Sequence, residues 1–172
     1  MPETLIELKE HPVMITLQDA VSGNGFLAGI TLSGRALMRL ESDGKWWMYG
    51  VRPSAIAESG VTPGETFLRF RTTYKETLLD IAEESTSFEM FKSEVERFFS
   101  EPDADDEDAR LWESALVAVR TNHIAPPEPF SKLPRESPES KPSQITVERL
   151  DKKSIFVPSD NVADYYSLAR AA

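Results

Sequence analysis

Cysteine is absent from the 172 residues. That excludes disulfides, thiolate-bound metal and a thiol nucleophile, and it fits a reducing compartment. Histidine occurs twice. His11 stands beside a proline in a strand-rich stretch and His123 precedes a proline-rich one, so both are read as surface residues rather than general bases. No apolar run approaches the length that crosses a bilayer. The first ten residues, MPETLIELKE, hold three acids and no apolar h-region, the pattern of neither a signal peptide nor an anchor. A cytoplasmic protein without a membrane role is expected. Base is also scarce: 19 Lys and Arg stand against 29 Asp and Glu, giving a net charge of -10 and a pI near 4.7. The acidic excess lies in residues 1–99 and 100–144, while 145–172 balance. Nucleic-acid binding draws on neutralised phosphates, so this balance argues against DNA or RNA. It suits solubility and encounter with a basic partner.

Recognised catalytic and phosphate-binding spacings are missing too. No HExxH, GxSxG or EF-hand pattern occurs. The stretch RPSAIAESGVTPGETFLRF, residues 52–70, puts two glycines ahead of a helical pattern, yet it has neither GxGxxG nor GxxxxGK[ST] spacing. No lysine follows, Pro63 lacks an N–H, and Glu65 would repel a phosphate. Thr62-Pro63-Gly64-Glu65 instead has the chemistry of a helix start: a hydroxyl N-cap, proline at N1 and an acid at N3.

What is present is one domain's worth of chain, long enough to bury a core. Residues 4–60 read as strands and tight turns. ELKEHPVMITLQDA and FLAGITL are rich in strand formers, with Asn24-Gly25 suited to a hairpin turn between them. ALMRLESDGKWWMYGV is a second hairpin with Asp43-Gly44 at its apex. Helical period follows. Phe67, Phe70, Tyr74, Leu78 and Ile81 form the apolar stripe of a helix over about 63–84. Phe88, Phe91, Val95 and Phe98 form a second over about 87–99, opened by Thr86 with Glu89 three residues on. Six acids in the eight residues 101–108 precede a third helix over about 105–121, with Leu111, Trp112, Ala115, Leu116 and Val119 at helical spacing. The expected fold is α+β, an antiparallel sheet of three to four strands packed against two or three helices.

Residues 1–122 would form that domain. Six prolines between 124 and 144 make 123–144 a proline-rich linker, read as an extended tether without regular structure. Residues 145–172 then form a C-terminal strand and short-helix tail, carrying ITVERL, SIFVP and a segment with Val162, Tyr165, Tyr166 and Leu168. Such a tail docks either on its own domain or on a partner.

Few residues invite a site. Asp103, Asp105, Asp106 and Asp108 offer hard oxygen ligands, but the run lacks the EF-hand glycine and distal glutamate and suits a solvated helix entry. Arg52, Arg69, Arg71 and Lys75, interspersed with Glu65 and Glu76, read as surface ion pairs rather than a basic patch. Trp46-Trp47 is different. Neighbours in a strand point oppositely, so one indole faces the core and the other must be covered by a helix, the tail or a partner. Trp46, Trp47 and the tail's Ile155, Phe156, Tyr165 and Tyr166 are therefore the candidate partner-binding residues. No catalytic residue, metal site or cofactor is assigned.

The hairpin RALMRLESDGKWWMYG, the stretch RPSAIAESG and the GET that opens a helix resemble the HicB-like antitoxin family over about residues 35–85. The resemblance implies a partial ribonuclease H-like fold without nuclease carboxylates, and a role in a toxin–antitoxin system. Its members cover a small basic toxin that cleaves RNA. The second aromatic helix and the acidic third helix depart from that pattern, and nothing after Gln144 reads as a DNA-binding domain. The expected function is toxin neutralisation without chemistry. Two other readings stand beside it: a ligand-sensing or scaffold module with a self-docked tail, and a small metal-dependent hydrolase using Asp103 to Asp108. Association into a homo-oligomer stays open.

Overall fold

Apolar Val13, Ile15, Leu17 and Val21, at alternating positions broken only by Asp19, give one strand face that must be buried. The structure is a computed structural model that describes residues 10–102 and 107–152, together with the backbone of 167–171. Glu10–Gly23 forms β1 and Phe26–Leu40 forms β2. They pair antiparallel without interruption from Glu10 opposite Arg39 to Gly23 opposite Phe26. Asn24-Gly25 turns between them, with Gly25 at φ 80°, a region L side chains avoid. The second hairpin leads into β3, Trp46–Arg52, through Gly44 at φ 79°. β4, Ala57–Gly60, then folds back on β3 as an edge strand.

The fold is α+β, as the sequence predicts. One sheet face carries Val13, Ile15, Leu17, Val21, Ala28, Ile30 and Leu32, all buried against two helices. The first, α1 (Pro63–Glu84), starts as its cap chemistry predicts: the Thr62 hydroxyl accepts from the Glu65 N–H at 3.1 Å. The Glu65 carboxylate reaches one residue beyond the cap, to the Val61 N–H at 3.0 Å. The line of full burial is Thr66, Phe70, Tyr74, Leu78 and Ala82, steps of four, with Phe67 and Ile81 at its margin. The expected stripe is thus rotated toward small residues. Thr66 makes the close approach useful, since its hydroxyl contacts both the Thr62 and Trp46 carbonyls, at 2.7 and 3.2 Å.

The second helix, α2 (Phe88–Ser100), buries Phe91, Val95 and Phe99, with Phe88 and Phe98 partly covered. Its N-cap is Ser87, not Thr86: the Ser87 hydroxyl accepts from the Met90 N–H at 3.2 Å. Its last carbonyls are met from the end of β3 and the loop after it, because Arg52 donates to Ser100 O at 3.1 Å and Ser54 to Glu101 O at 2.8 Å. The third helix, α3 (Glu107–Asn122), lies on the other sheet face, where Trp112 and Leu116 pack with Met14 and Val51. The Trp112 indole N–H donates to Val13 O at 3.4 Å, and the Arg35 guanidinium sits 4.5 Å over its ring.

The proline-rich segment corrects an expectation. It carries a 3-10 turn at Phe130–Lys132, and Phe130 is buried in the main core, edge-on to Phe67 with ring centroids 6.2 Å apart. Phe130, with Leu133 packed beside it on the core, ties this stretch to the body. Beyond it, β5 (Gln144–Arg149) pairs with Ala28–Ser33 of β2, on the same edge whose other half, Arg35–Leu40, pairs with β3. β6 (Ser167–Ala171) pairs antiparallel with Val13–Leu17 of β1. These strands dock on their own sheet.

Candidate functional site

Register decides which tryptophan is which. Trp46 lies opposite Leu40 and packs at the margin of the main core. Trp47 lies opposite Arg39, on the face that α3 covers only in part, and Tyr49 follows two residues on, pointing the same way. Their rings stack, with centroids 5.8 Å apart and planes 10° from parallel. Both remain partly exposed.

Carboxylates hold the polar ends of this pair. The Trp47 indole N–H donates to Asp43 Oδ2 at 3.2 Å, and the Tyr49 hydroxyl donates to Glu41 Oε1 at 2.9 Å. Arg39 joins Glu10 at 2.5 Å and Glu41 at 3.4 Å, with its guanidinium 5.7 Å from the centre of the Tyr49 ring. The Asp43 carboxyl is held below the usual carboxylate range, first by the Lys45 N–H it accepts from and then by Trp47. Burial pushes the Tyr49 phenol up to about 12, with the Glu41 bond and charge adding to it. Asp108 of α3 contributes a further negative charge there. The result is an aromatic ledge in an acidic setting. Such a ledge offers ring faces and carboxylates to cationic side chains.

Other sequence-derived candidates fare differently. Ile155, Phe156, Tyr165 and Tyr166 lie outside the described residues, as do Asp103, Asp105 and Asp106. Among the described residues no group of three or more His, Asp or Glu is placed to hold a metal, and no helix is long and apolar enough to cross a membrane. His11 corrects the surface reading: it lies on a strand, as its strand-rich stretch predicts, but is only 4% exposed. His123 is exposed, at φ 53° just past α3. The basic residues divide. Arg69 pairs with Glu65 at 2.8 Å, as expected for a surface pair. Arg71 turns inward to Asp19, which is 3% exposed.

Sequence reasoning missed Glu41, Asp43 and Tyr49 as members of the site. The signal available was period two: Trp47 and Tyr49 share a face, and both acids sit in the turn that leads to them. Open hollows also mark the surface of the described residues. One of about 280 Å³ is lined by Glu58, Glu65, Leu68, Arg69, Thr72 and Thr73. Another, about 590 Å³, lies between Arg52 and the α3 residues Ala109, Arg110, Glu113 and Ser114. The chain matches no family model, no curated protein and no solved structure.

Proposed function

We propose that this chain is an antitoxin-like protein of the HicB-like kind, which neutralises a basic, RNA-cleaving toxin by covering its surface. The observation that carries the reading is the acidic aromatic ledge of Trp47 and Tyr49, tied down by Asp43 and Glu41. Trp and Tyr dominate the energetics of protein interfaces, and the net charge of -10 favours encounter with a cationic surface. Because β5 occupies an edge of its own sheet, contact is assigned to the ledge before the C-terminal segment.

The test is co-expression with a short basic reading frame adjacent to this one, read as growth. The intact chain restores growth, and Trp47→Ala lowers affinity for the purified partner by about tenfold or more, as loss of an aromatic anchor does. Growth rescue unchanged by Trp47→Ala and Asp43→Ala together sinks the ledge as the contact. Absence of rescue by the intact chain sinks the antitoxin reading.

A second reading, a scaffold or ligand-sensing module, is favoured by the pairing of β5 with β2 and by buried Phe130, which spend the chain's later segments on its own stability. Partner capture separates the two. A scaffold keeps its binding when the basic neighbour is absent.

A further inference from the structure

β4 is the edge strand beyond β3, and side chains meet one of its outward backbone groups and one just past its end. Arg69 donates through Nη1 to Ser59 O at 3.3 Å, and Glu65 accepts from the Val61 N–H at 3.0 Å. The same two residues bond each other at 2.8 Å. In an antiparallel strand both backbone groups of one residue point the same way. Ser59 therefore turns its N–H outward as well as its carbonyl. One acceptor for an N–H and one donor for a carbonyl are what the backbone of a further strand would present there. The guard is exposed, with 57% and 39% of the Arg69 and Glu65 side chains in solvent, and an exposed pair contributes little to holding itself in place.

The surroundings are apolar in an unusual way. Val61 is 74% exposed and Leu68 64%, the two most exposed large apolar side chains among the described residues. Leu68 lines the hollow against β4, and Val61 follows the strand directly. Glu58 and Glu65 add negative charge to the same hollow. An unprotected, apolar strand edge invites another strand, and proteins commonly block such edges with charged side chains.

We propose that the open edge of β4 is a strand-addition site for an extended basic segment of a partner protein, with Glu65 and Arg69 as a displaceable guard. A second copy of this chain is a poor occupant, because each copy carries a net charge of -10. An extended segment with alternating apolar and basic residues fits. Its apolar side chains meet Leu68 and Val61, and its cations meet Glu58 and Glu65. The inference rests on the reading of the chain as a cover for a basic protein, and adds a backbone contact to it. Trp47 and Tyr49 lie opposite Ser59 and Ala57 in the β3–β4 pair, so an added strand would run one strand away from the ledge.

The probe is a blocked peptide of alternating lysine and valine, with an aspartate-valine peptide as control, added to the full chain. Backbone amide exchange is followed by NMR. The lysine-valine peptide is expected to slow exchange at Ala57 and Ser59 by about tenfold, as new hydrogen bonds form. Arg69→Ala, which uncovers the Ser59 carbonyl, is expected to tighten binding by about fivefold. Ser59→Pro removes an outward N–H that β3 does not use and is expected to abolish it. Unchanged or weaker binding by Arg69→Ala overturns the site, whether or not Ser59→Pro folds. Equal binding of the aspartate-valine peptide overturns the basic occupant, and dimerisation of Arg69→Ala in sedimentation overturns it in favour of a second copy. Growth rescue indifferent to Arg69→Ala and Ser59→Pro leaves the antitoxin reading standing and overturns the strand site. Peptide binding that follows both variants, in a chain that rescues no growth, keeps the strand site and sinks the toxin.

Discussion

Arg71 of α1 reaches into the interior to Asp19 of β1, across 52 residues of sequence, and forms an ion pair with a carboxylate that is 3% exposed. Tyr74, one helical turn further on, is buried beside them and feels both charges. The pair lies on the face that α1 covers, so it fixes how the helix sits on the sheet. Removing Asp19 takes away the interior carboxylate that ties α1 to β1 through Arg71. Asp19→Ala is expected to cost about 3–5 kcal/mol, measured by urea unfolding, because a buried ion pair is broken from one side. Replacing both residues by apolar ones of similar volume, Asp19→Leu with Arg71→Met, is expected to recover most of that loss. A double variant as unstable as the single one would show that the pair itself holds the helix.

A different dependence follows from Tyr49. Its phenol is raised from an ordinary value near 10 to about 12, first by burial and then by Glu41. The folded state therefore keeps this proton longer than the unfolded chain does. The stability it contributes is fully present below pH ~10 and is lost as pH rises toward about 12. Urea midpoints measured from pH ~8 to ~12 are expected to fall across that window. Tyr49→Phe has no proton to lose and should show a shallower fall. Burial also raises the Tyr74 phenol, so the variant reduces the slope without removing it.

The parts of this fold that were legible in the sequence are those set by neighbours in the chain. Asn24-Gly25 and Asp43-Gly44 fix hairpins because glycine supplies the positive φ each turn needs, and Thr62 to Glu65 fix a helix start by bonds spanning three or four residues. Alternation also predicted that one of Trp46 and Trp47 points inward. It could not say which, because the choice depends on the register of β2 with β3. Arg71 read as a surface residue for a related reason: its partner Asp19 is distant in sequence, and a helix pattern does not reveal a buried ion pair across a strand. The burial of His11 and Phe130 was missed likewise, one because a polar residue in a strand does not show which face it takes, the other because six prolines masked an aromatic anchor. At the ledge, Trp47 was a candidate from the sequence, while Tyr49 and the carboxylates that hold the pair became apparent only once the hairpin closed.

Gly50 gives a sharp test of the path between β3 and β4. Its N–H donates to Ile56 O at 2.8 Å, and a Cβ added there would come within 2.1 Å of Pro53 O and 3.0 Å of Ile56 O. Both atoms are backbone, so relief requires the loop over residues 53–56 to move. Gly50→Ala is expected to destabilise by about 2–4 kcal/mol through overpacking, read from thermal unfolding. Gly44→Ala meets nothing within 4 Å but sits at φ 79°, and should cost about 1 kcal/mol from backbone strain alone. An equal loss in the two variants would show that crowding at Gly50 is relieved without cost.

Phe130 tests whether the proline-rich segment belongs to the core. Its ring is 2% exposed and meets Phe67, in a stretch that otherwise has little apolar side chain to bury. Phe130→Ala deletes the anchor and leaves a cavity against α1, so the expected loss is about 3–5 kcal/mol in urea unfolding. The same substitution frees the surrounding chain, and limited proteolysis between Ile124 and Ser143 is expected to speed up under native conditions. A tether that touched the body only by chance would behave otherwise: Phe130→Ala would change neither unfolding nor cleavage. A stability loss without faster cleavage would place the hold on the segment at Leu133, which also packs on the core, and at Arg135, which donates to Ile124 O at 2.7 Å.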